Sequence, residues 1–226
     1  MVKRRGVLSR VVWWVVRIGI ALVLLFALLL LLWRFVPPVS TLMAARWVTL
    51  RSVDRQWVPL ERISPRLVAS VITSEDARFC RHGGVDWDAI NVVLDTDGGP
   101  TRGASTIAMQ TTKNLFLWPS RSYIRKGLEV PLALVLDIAW PKRRVMEVYL
   151  NIAEWGDGIF GAEAASRRYF GKSAATLTAR EAALLAAALP NPRARDPRKP
   201  PRRHALLARI VERRAQAAGG LTDCLR

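Results

Sequence analysis

Between Val11 and Trp33 the sequence carries one charged side chain, Arg17, and almost nothing else that is polar. A run of about 23 apolar residues is long enough, as a helix, to cross a hydrocarbon core. That stretch therefore dictates a membrane-spanning segment before any other element is considered. Arg17 stands close enough to the start for its long stem to reach the headgroups. A cleaved signal peptide is the competing reading. It usually has an apolar core of about 7–15 residues followed by a small-x-small cleavage site, and here Phe35-Val36-Pro37-Pro38 follows instead. The expectation is an uncleaved anchor over 11–35. Trp13, Trp14 and Trp33 bracket it as interfacial aromatics do. Lys3, Arg4, Arg5 and Arg10 precede it without an acid and favour a cytoplasmic N-terminus over 1–10, although Arg34, Arg46 and Arg51 blunt the asymmetry.

Beyond the anchor there is enough chain for one domain with a real core. Apolar residues make up 51% of the whole, and the excess is concentrated in the anchor, so the remainder reads as an ordinary water-facing domain. The net charge is +17, and removing the six basic residues of 1–35 leaves about +11 on that remainder. A basic domain tethered to a bilayer suggests lipid headgroups, a phosphorylated substrate or nucleic acid as partner. For the arginine-rich stretch after Pro192 a solubilising surface is the plainer reading. Two cysteines, Cys80 and Cys224, allow one disulfide without requiring it, and no zinc-type spacing exists.

Few stretches alternate at period two, so the domain should be mainly α-helical. Ser64-Pro65 reads as a helix start with a capping side chain, and Leu67, Val68, Val71 and Ile72 mark one apolar face. Glu75 continues that stripe, which is unusual for a carboxylate. It is either a core acid neutralised by a buried arginine or an acid with a raised pKa suited to proton transfer. Asp76 lies about 100° further round the helix, so a shared-proton pair with Glu75 is not expected. Asp95–Gly103 is a turn-rich loop, and Ser105–Phe116 a helix with Ser105, Gln110, Lys113 and Asn114 on its polar face. Ser122 caps a helix reaching about Trp140, with Leu128, Leu132, Val135 and Leu136 inward and Pro131 inside it. Thr178 and Glu181 form a capping box. Lys113, Arg121, Arg125 and Lys126 gather beside a second acid, Glu129. Arg125 and Glu129 at i, i+4 are either a helix-surface ion pair or part of a cationic cradle for a di-anionic group.

At these residues the chain resembles a known family. Ser74-Glu75-Asp76-Ala77-Arg78-Phe79-Cys80-Arg81-His82-Gly83-Gly84-Val85-Asp86 is similar to the first motif of the family 51 peptidoglycan glycosyltransferases. Arg102-Gly103-Ala104-Ser105-Thr106-Ile107 with Gln110 and Lys113-Asn114 resembles the second, and Arg125-Lys126-x-x-Glu129 the third. Lys142, Tyr149-Leu150-Asn151 and Gly156 to Gly161 resemble the next two. Glu181 to Leu185 with Leu189-Pro190-Asn191-Pro192 is similar to the closing segment. The resemblance runs over roughly 60–197. Met109, where many members have glutamine, and Pro131 depart from the pattern.

The resemblance implies a lysozyme-like helical glycosyltransferase domain preceded by a single transmembrane helix. It divides the chain into the N-terminus and anchor already described, a linker or membrane-proximal segment over 36–60, a glycosyltransferase domain over 61–197 and a basic C-terminal helix and tail over 198–226. The lack of a transpeptidase segment points to the monofunctional branch. The implied reaction is polymerisation of lipid II into β-1,4-linked glycan strands, with inversion and release of undecaprenyl pyrophosphate, at the periplasmic face of the inner membrane. Glu75 is implied as the general base. Glu129 either positions the pyrophosphate or holds a divalent ion, Mg2+ or Mn2+. Ser105, Thr106, Gln110, Lys113, Asn114, Arg121, Arg125 and Lys126 are implied as substrate contacts. His82 is expected to fix a turn, and Trp47 and Trp57 to lie near the bilayer or to pack. The implied partners are lipid II, the growing glycan chain and proteins of cell-wall elongation or division, with no nucleic acid. Two rivals remain at this stage. A glycan hydrolase would need no cationic cradle, and a tethered nucleic-acid binder would leave Glu75 without purpose.

Overall fold

A computed structural model describes residues 7–95, 104–120, 122–217 and 219–226. The chain forms two units, Met1–Val36 and Pro37–Arg226. In the first, α1 (Val7–Trp33) is a single helix. Its Leu8–Trp33 portion has a mean hydropathy of 3.0 and is long and apolar enough to cross a membrane.

The second unit is helical, as the lack of alternating segments predicts. Its elements are α2 (Thr41–Val48), β1 (Asp54–Arg55), α3 (Pro65–Glu75), α4 (Trp87–Leu94), α5 (Ile107–Phe116), α6 (Tyr123–Ala139), α7 (Lys142–Ile152), β2 (Glu154–Gly156), β3 (Ile159–Phe160), α8 (Ala162–Phe170), α9 (Ala179–Ala188) and α10 (Arg202–Gln216). The small sheet has the order β1-β3-β2, with β1 parallel and β2 antiparallel to β3. The core fills with Leu67, Val71, Ile72, Phe79, Ile107, Met146, Trp155 and Leu185, all fully or almost fully buried.

The segment expected as a linker is folded. Met43 and Arg46 of α2 are buried. Arg46 donates to Ser52 O and to Asp157 Oδ1 at 2.9 and 2.8 Å, which pins α2 to the turn between β2 and β3. The side chain of Asn151 closes on Val58 like a strand partner, accepting from its N–H at 3.0 Å and donating to its carbonyl at 2.9 Å. Trp57 packs beneath the guanidinium groups of Arg55 and Arg144, whereas Trp47 is exposed.

The basic C-terminal stretch is likewise part of the fold. Apolar positions spaced along α10, among them Ala208 and Val211, are buried where the helix packs on α3 and α9. Beyond it a 3-10 turn (Asp223–Leu225) is held by the Cys80–Cys224 disulfide and by Arg143 donating to Leu225 O at 2.7 Å. Sequence periodicity shows the amphipathic face of such a helix but not what covers it.

Two local expectations change. Ser64 occupies the N-cap position of α3 without capping it. Its hydroxyl donates to Leu177 O, since tertiary packing at this buried end presents a competing acceptor. In α6 the buried face is Arg125, Glu129, Ala133 and Leu136, while Leu128 and Val135 are exposed. The inward face of α6 is thus half ionic at its N-terminal end, which reading for apolar residues alone misassigns. The N-cap at Ser122 and the capping box at Thr178 fare as expected. Ser122 accepts from Arg125 N at 3.1 Å, and Thr178 and Glu181 bond reciprocally.

Candidate active site

Asp76 organises the site. It ends α3, and its Oδ2 accepts from the N–H of Ile107 at 2.9 Å. A carboxylate there also meets the positive end of α5. Its Oδ1 is 2.8 Å from His82 Nε2, which fixes the turn after Phe79 as expected for that histidine. One buried acid therefore joins the end of α3, the start of α5 and the His82 turn, and so delivers the neighbouring Glu75 to the face of α5.

Glu75 is the last residue of α3. Its Oε2 accepts from Gln110 Nε2 at 3.1 Å, and its Oε1 accepts from the hydroxyl of Ser74 at 3.2 Å. Both donors are neutral, and no cation lies within ion-pair distance among the described residues. Burial raises its pKa, opposed by the donors Gln110 and Ser74 and by the more distant charges of Lys113 and Arg195. Gln110 is itself held by Tyr149, whose hydroxyl donates to Oε1 at 3.1 Å.

The second acid has the opposite surroundings. Glu129 is buried, with Oε1 paired to Arg125 and Oε2 paired to Lys126 at 2.8 Å. The pair is not a surface ion pair, since Arg125 is buried too. Lys126 also donates to Ser105 Oγ at 2.5 Å, which brings the second and third motifs together. Lys113 on α5 lies near enough to both sides to feel Arg125 and Glu75. Burial, then repulsion from Arg125, lowers its pKa. Burial pushes Lys126 down to about 8, with Arg125 and Lys113 adding repulsion; the contact with Glu129 works the other way.

A divalent ion does not fit beside Glu129. Both carboxylate oxygens are taken by cations, and no group of three His, Cys, Asp or Glu side chains suited to a metal occurs among the described residues. Thr106, expected as a substrate contact, has its hydroxyl committed elsewhere. It accepts from Met109 N at 3.1 Å, capping α5, and donates to Gly84 O at 2.6 Å. Arg121 and most of the Asp95–Gly103 loop lie outside the described residues. Met109 is buried in the core, so its thioether replaces no cavity-facing group here.

Two cavities adjoin this centre. One of about 430 Å³ is lined by Ser74, Glu75, Ser105, Arg78 and Arg214 among others. The other, about 240 Å³, is lined by Gln110, Lys113, Asn114, Tyr149, Thr41 and Pro190 among others. Gly84 shows why the first motif needs its glycine. Its φ is +81°, and a Cβ would stand 2.5 Å from Ala133 O, a clash no side chain avoids.

Comparison with known proteins shows the family. A model of the transglycosylase family matches residues 42–216. The chain belongs to that family. It is 57% identical over 214 residues to a biosynthetic peptidoglycan transglycosylase of Brucella suis, covering 93% of this chain and 96% of that protein. A protein of the same description from Agrobacterium fabrum is 58% identical over 193 residues, 84% of this chain and 85% of its own. One from Rhodospirillum centenum is 54% identical over 210 residues, 90% and 91% respectively.

The transglycosylase fold brings in residues the sequence reading did not single out. Tyr149 stands out in the sequence only as part of a motif. It sits on the buried face of α7, four residues after Val145, and a buried tyrosine must find a partner for its hydroxyl. That was the available signal. Asp137 offered none. It pairs with Lys142 at 2.7 Å beneath the Gly83-Gly84 turn, and Lys142 in turn donates to His82 O at 2.7 Å.

Proposed function

We propose that this transglycosylase polymerises lipid II into β-1,4-linked peptidoglycan strands, inverting the anomeric centre and releasing undecaprenyl pyrophosphate. The observation that carries the reading is a surplus of positive charge beside a free carboxylate. Arg125 and Lys126 share a single paired acid, Glu129, and Lys113 lies near enough to feel both Arg125 and Glu75, whereas Glu75 has only neutral hydrogen-bond donors. A surplus of fixed positive charge suits a diphosphate and has no use in cleaving a bond between two sugars.

Glu75 takes the proton from the 4-hydroxyl of the acceptor sugar. The oxygen attacks the anomeric carbon of the chain's terminal muramyl residue, and the pyrophosphate leaves from the opposite face. Lys113, Lys126 and Arg125 stabilise the charge developing on it, with Arg121 as a further cation. Fixed cations aimed at a leaving group lower the barrier because they need no reorganisation during the reaction. Burial, and after it repulsion from neighbouring cations, lowers the pKa values of Lys113 and Lys126, and an arriving anion relieves that repulsion. Glu129 holds Arg125 and Lys126 in place rather than touching substrate, and Ser105, Gln110 and Asn114 contact sugar and phosphate oxygens.

Two further observations support the setting. The outward face of α6 presents Tyr123, Ile124, Leu128, Val135 and Ile138 to solvent, Ile138 being 88% exposed. A contiguous apolar face of this kind suits a lipid surface or lipid tail. The Cys80–Cys224 disulfide belongs to an oxidising compartment. Together with a cytoplasmic basic N-terminus, this supports an anchor in the inner membrane, a catalytic unit in the periplasm, and a protein within reach of the elongation or division machinery.

Incubating the detergent-solubilised protein with lipid II tests the reading. Ladders of glycan polymer and stoichiometric undecaprenyl pyrophosphate are expected, without dependence on chelator. Degradation of preformed glycan with no polymer made would overturn it.

A further inference from the structure

We propose that Tyr149 is a positioning residue for the transferase reaction, its hydroxyl locking the Gln110 carboxamide so that an N–H, never a carbonyl, meets Glu75. The inference rests on Glu75 acting as the base.

A carboxamide has a donor end and an acceptor end. Tyr149 is fully buried, and its hydroxyl is 3.1 Å from Gln110 Oε1, an atom that can only accept. Burial, with the charges of Glu75 and Asp76 adding to it, pushes the tyrosine pKa well up, so the hydroxyl keeps its proton and remains a donor. Gln110 Nε2 is thereby turned to Glu75 Oε2 at 3.1 Å. Turning the amide over would set two oxygens face to face and leave the tyrosine proton without an acceptor in a buried site.

The effect depends on the protonation state of Glu75. An ionised Glu75 attracts the N–H by itself, and the lock adds little. A protonated Glu75 would gain if the amide turned to offer its carbonyl to the new O–H. Tyr149 prevents that turn, so it disfavours the protonated acid selectively and opposes the effect of burial. A base that must start ionised and part readily with its proton afterwards needs this bias.

Other charges facing Glu75 act through space. Lys113 on α5 and Arg195 after α9 favour its ionised form. Asp76 lies beside it, and Arg78, Asp86, Asp88 and Arg214 line the adjoining cavity. None of these makes a hydrogen bond to Tyr149, so removing its hydroxyl leaves them in place.

Tyr149→Phe in the full-length protein is the test. Titrating the Glu75 carboxyl by infrared difference against Glu75→Gln, with no substrate, should show its pKa raised by about one unit, a tenfold change in proton affinity. The acidic limb of kcat/KM for lipid II polymerisation should move up equally, with near-normal rates above it. Gln110→Leu removes the N–H donor itself and should also raise the carboxyl pKa, and adding Tyr149→Phe to Gln110→Leu should raise it no further. Uniform incorporation of 3-fluorotyrosine keeps the hydroxyl and makes it a stronger donor, so the same titration should move down. It serves if Tyr149→Phe does not fold, because Tyr149 is the only one of the three tyrosines that donates to Gln110. An unmoved carboxyl titration, or a loss of rate equal at every pH, overturns the lock. Absence of polymer from the unaltered protein would instead overturn the reading on which it rests, and the infrared titration still decides the lock in that case.

Discussion

Glu75 and Glu129 are both carboxylates withdrawn from solvent, and they differ in what meets their oxygens. Glu75 receives two neutral donors, Gln110 and Ser74, and burial raises its pKa. Glu129 has a cation on each oxygen and lies at 3% exposure. A buried acid in paired cations is spent on structure, because its charge is already satisfied. A half-buried acid with neutral donors has its pKa raised, the direction that general-base chemistry uses. The same residue type thus serves two purposes, and its partners decide which.

That contrast can be broken by experiment. Glu129→Ala strands Arg125 as a buried unpaired cation, which should cost about 3 kcal/mol of stability. A lower midpoint in urea unfolding, with unchanged slope, would show it; an unchanged midpoint would return Glu129 to the surface-pair reading. Lys113→Ala should slow polymerisation about 100-fold through lost stabilisation of the leaving group, with the midpoint of unfolding nearly unaffected. On the proposed reading, activity needs Glu75 ionised and Lys126 charged. The pH profile should therefore fall below the raised pKa of Glu75 and again on passing about 8, where Lys126 loses its proton. Lys126→Arg should flatten the alkaline limb, because a guanidinium stays charged there.

The smallest effect concerns stability alone. Glu75 has a higher pKa folded than unfolded, so its contribution favours folding below the unfolded value near 4 and is lost as pH rises through the folded one. Glu75→Gln should accordingly melt a few degrees higher than the unaltered protein near pH 7. The gap should close in acid.

Much of this was legible in the sequence, for identifiable reasons. The long apolar N-terminal helix, the helical class and the placing of Glu75 at the end of α3 follow from apolar patterning, and the caps at Ser122 and Thr178 from local chemistry that no distant contact disturbs. What was not legible depends on long-range partners. Ser64 gives its hydroxyl to Leu177, more than a hundred residues away. The depth of the Arg125–Glu129 pair depends on the side of α6 that packs on α5, and two charged residues on one helix turn read as solvent-facing by default. The stretch 36–60 looks like a connector because its order comes from Asn151 and Asp157, not from its own pattern. Tyr149 and Asp137 gain their partners only when α7 packs against α5 and α6 lies beneath the Gly83-Gly84 turn.

The most direct test is the rate at which Glu75→Gln polymerises lipid II, measured beside the unaltered protein at equal folded concentration. Removing a general base is expected to slow the reaction about 10³-fold while substrate binding and the unfolding transition are preserved. Turnover within a few-fold of the unaltered protein would show that the proton leaves by another route, and the assignment of Glu75 would be withdrawn.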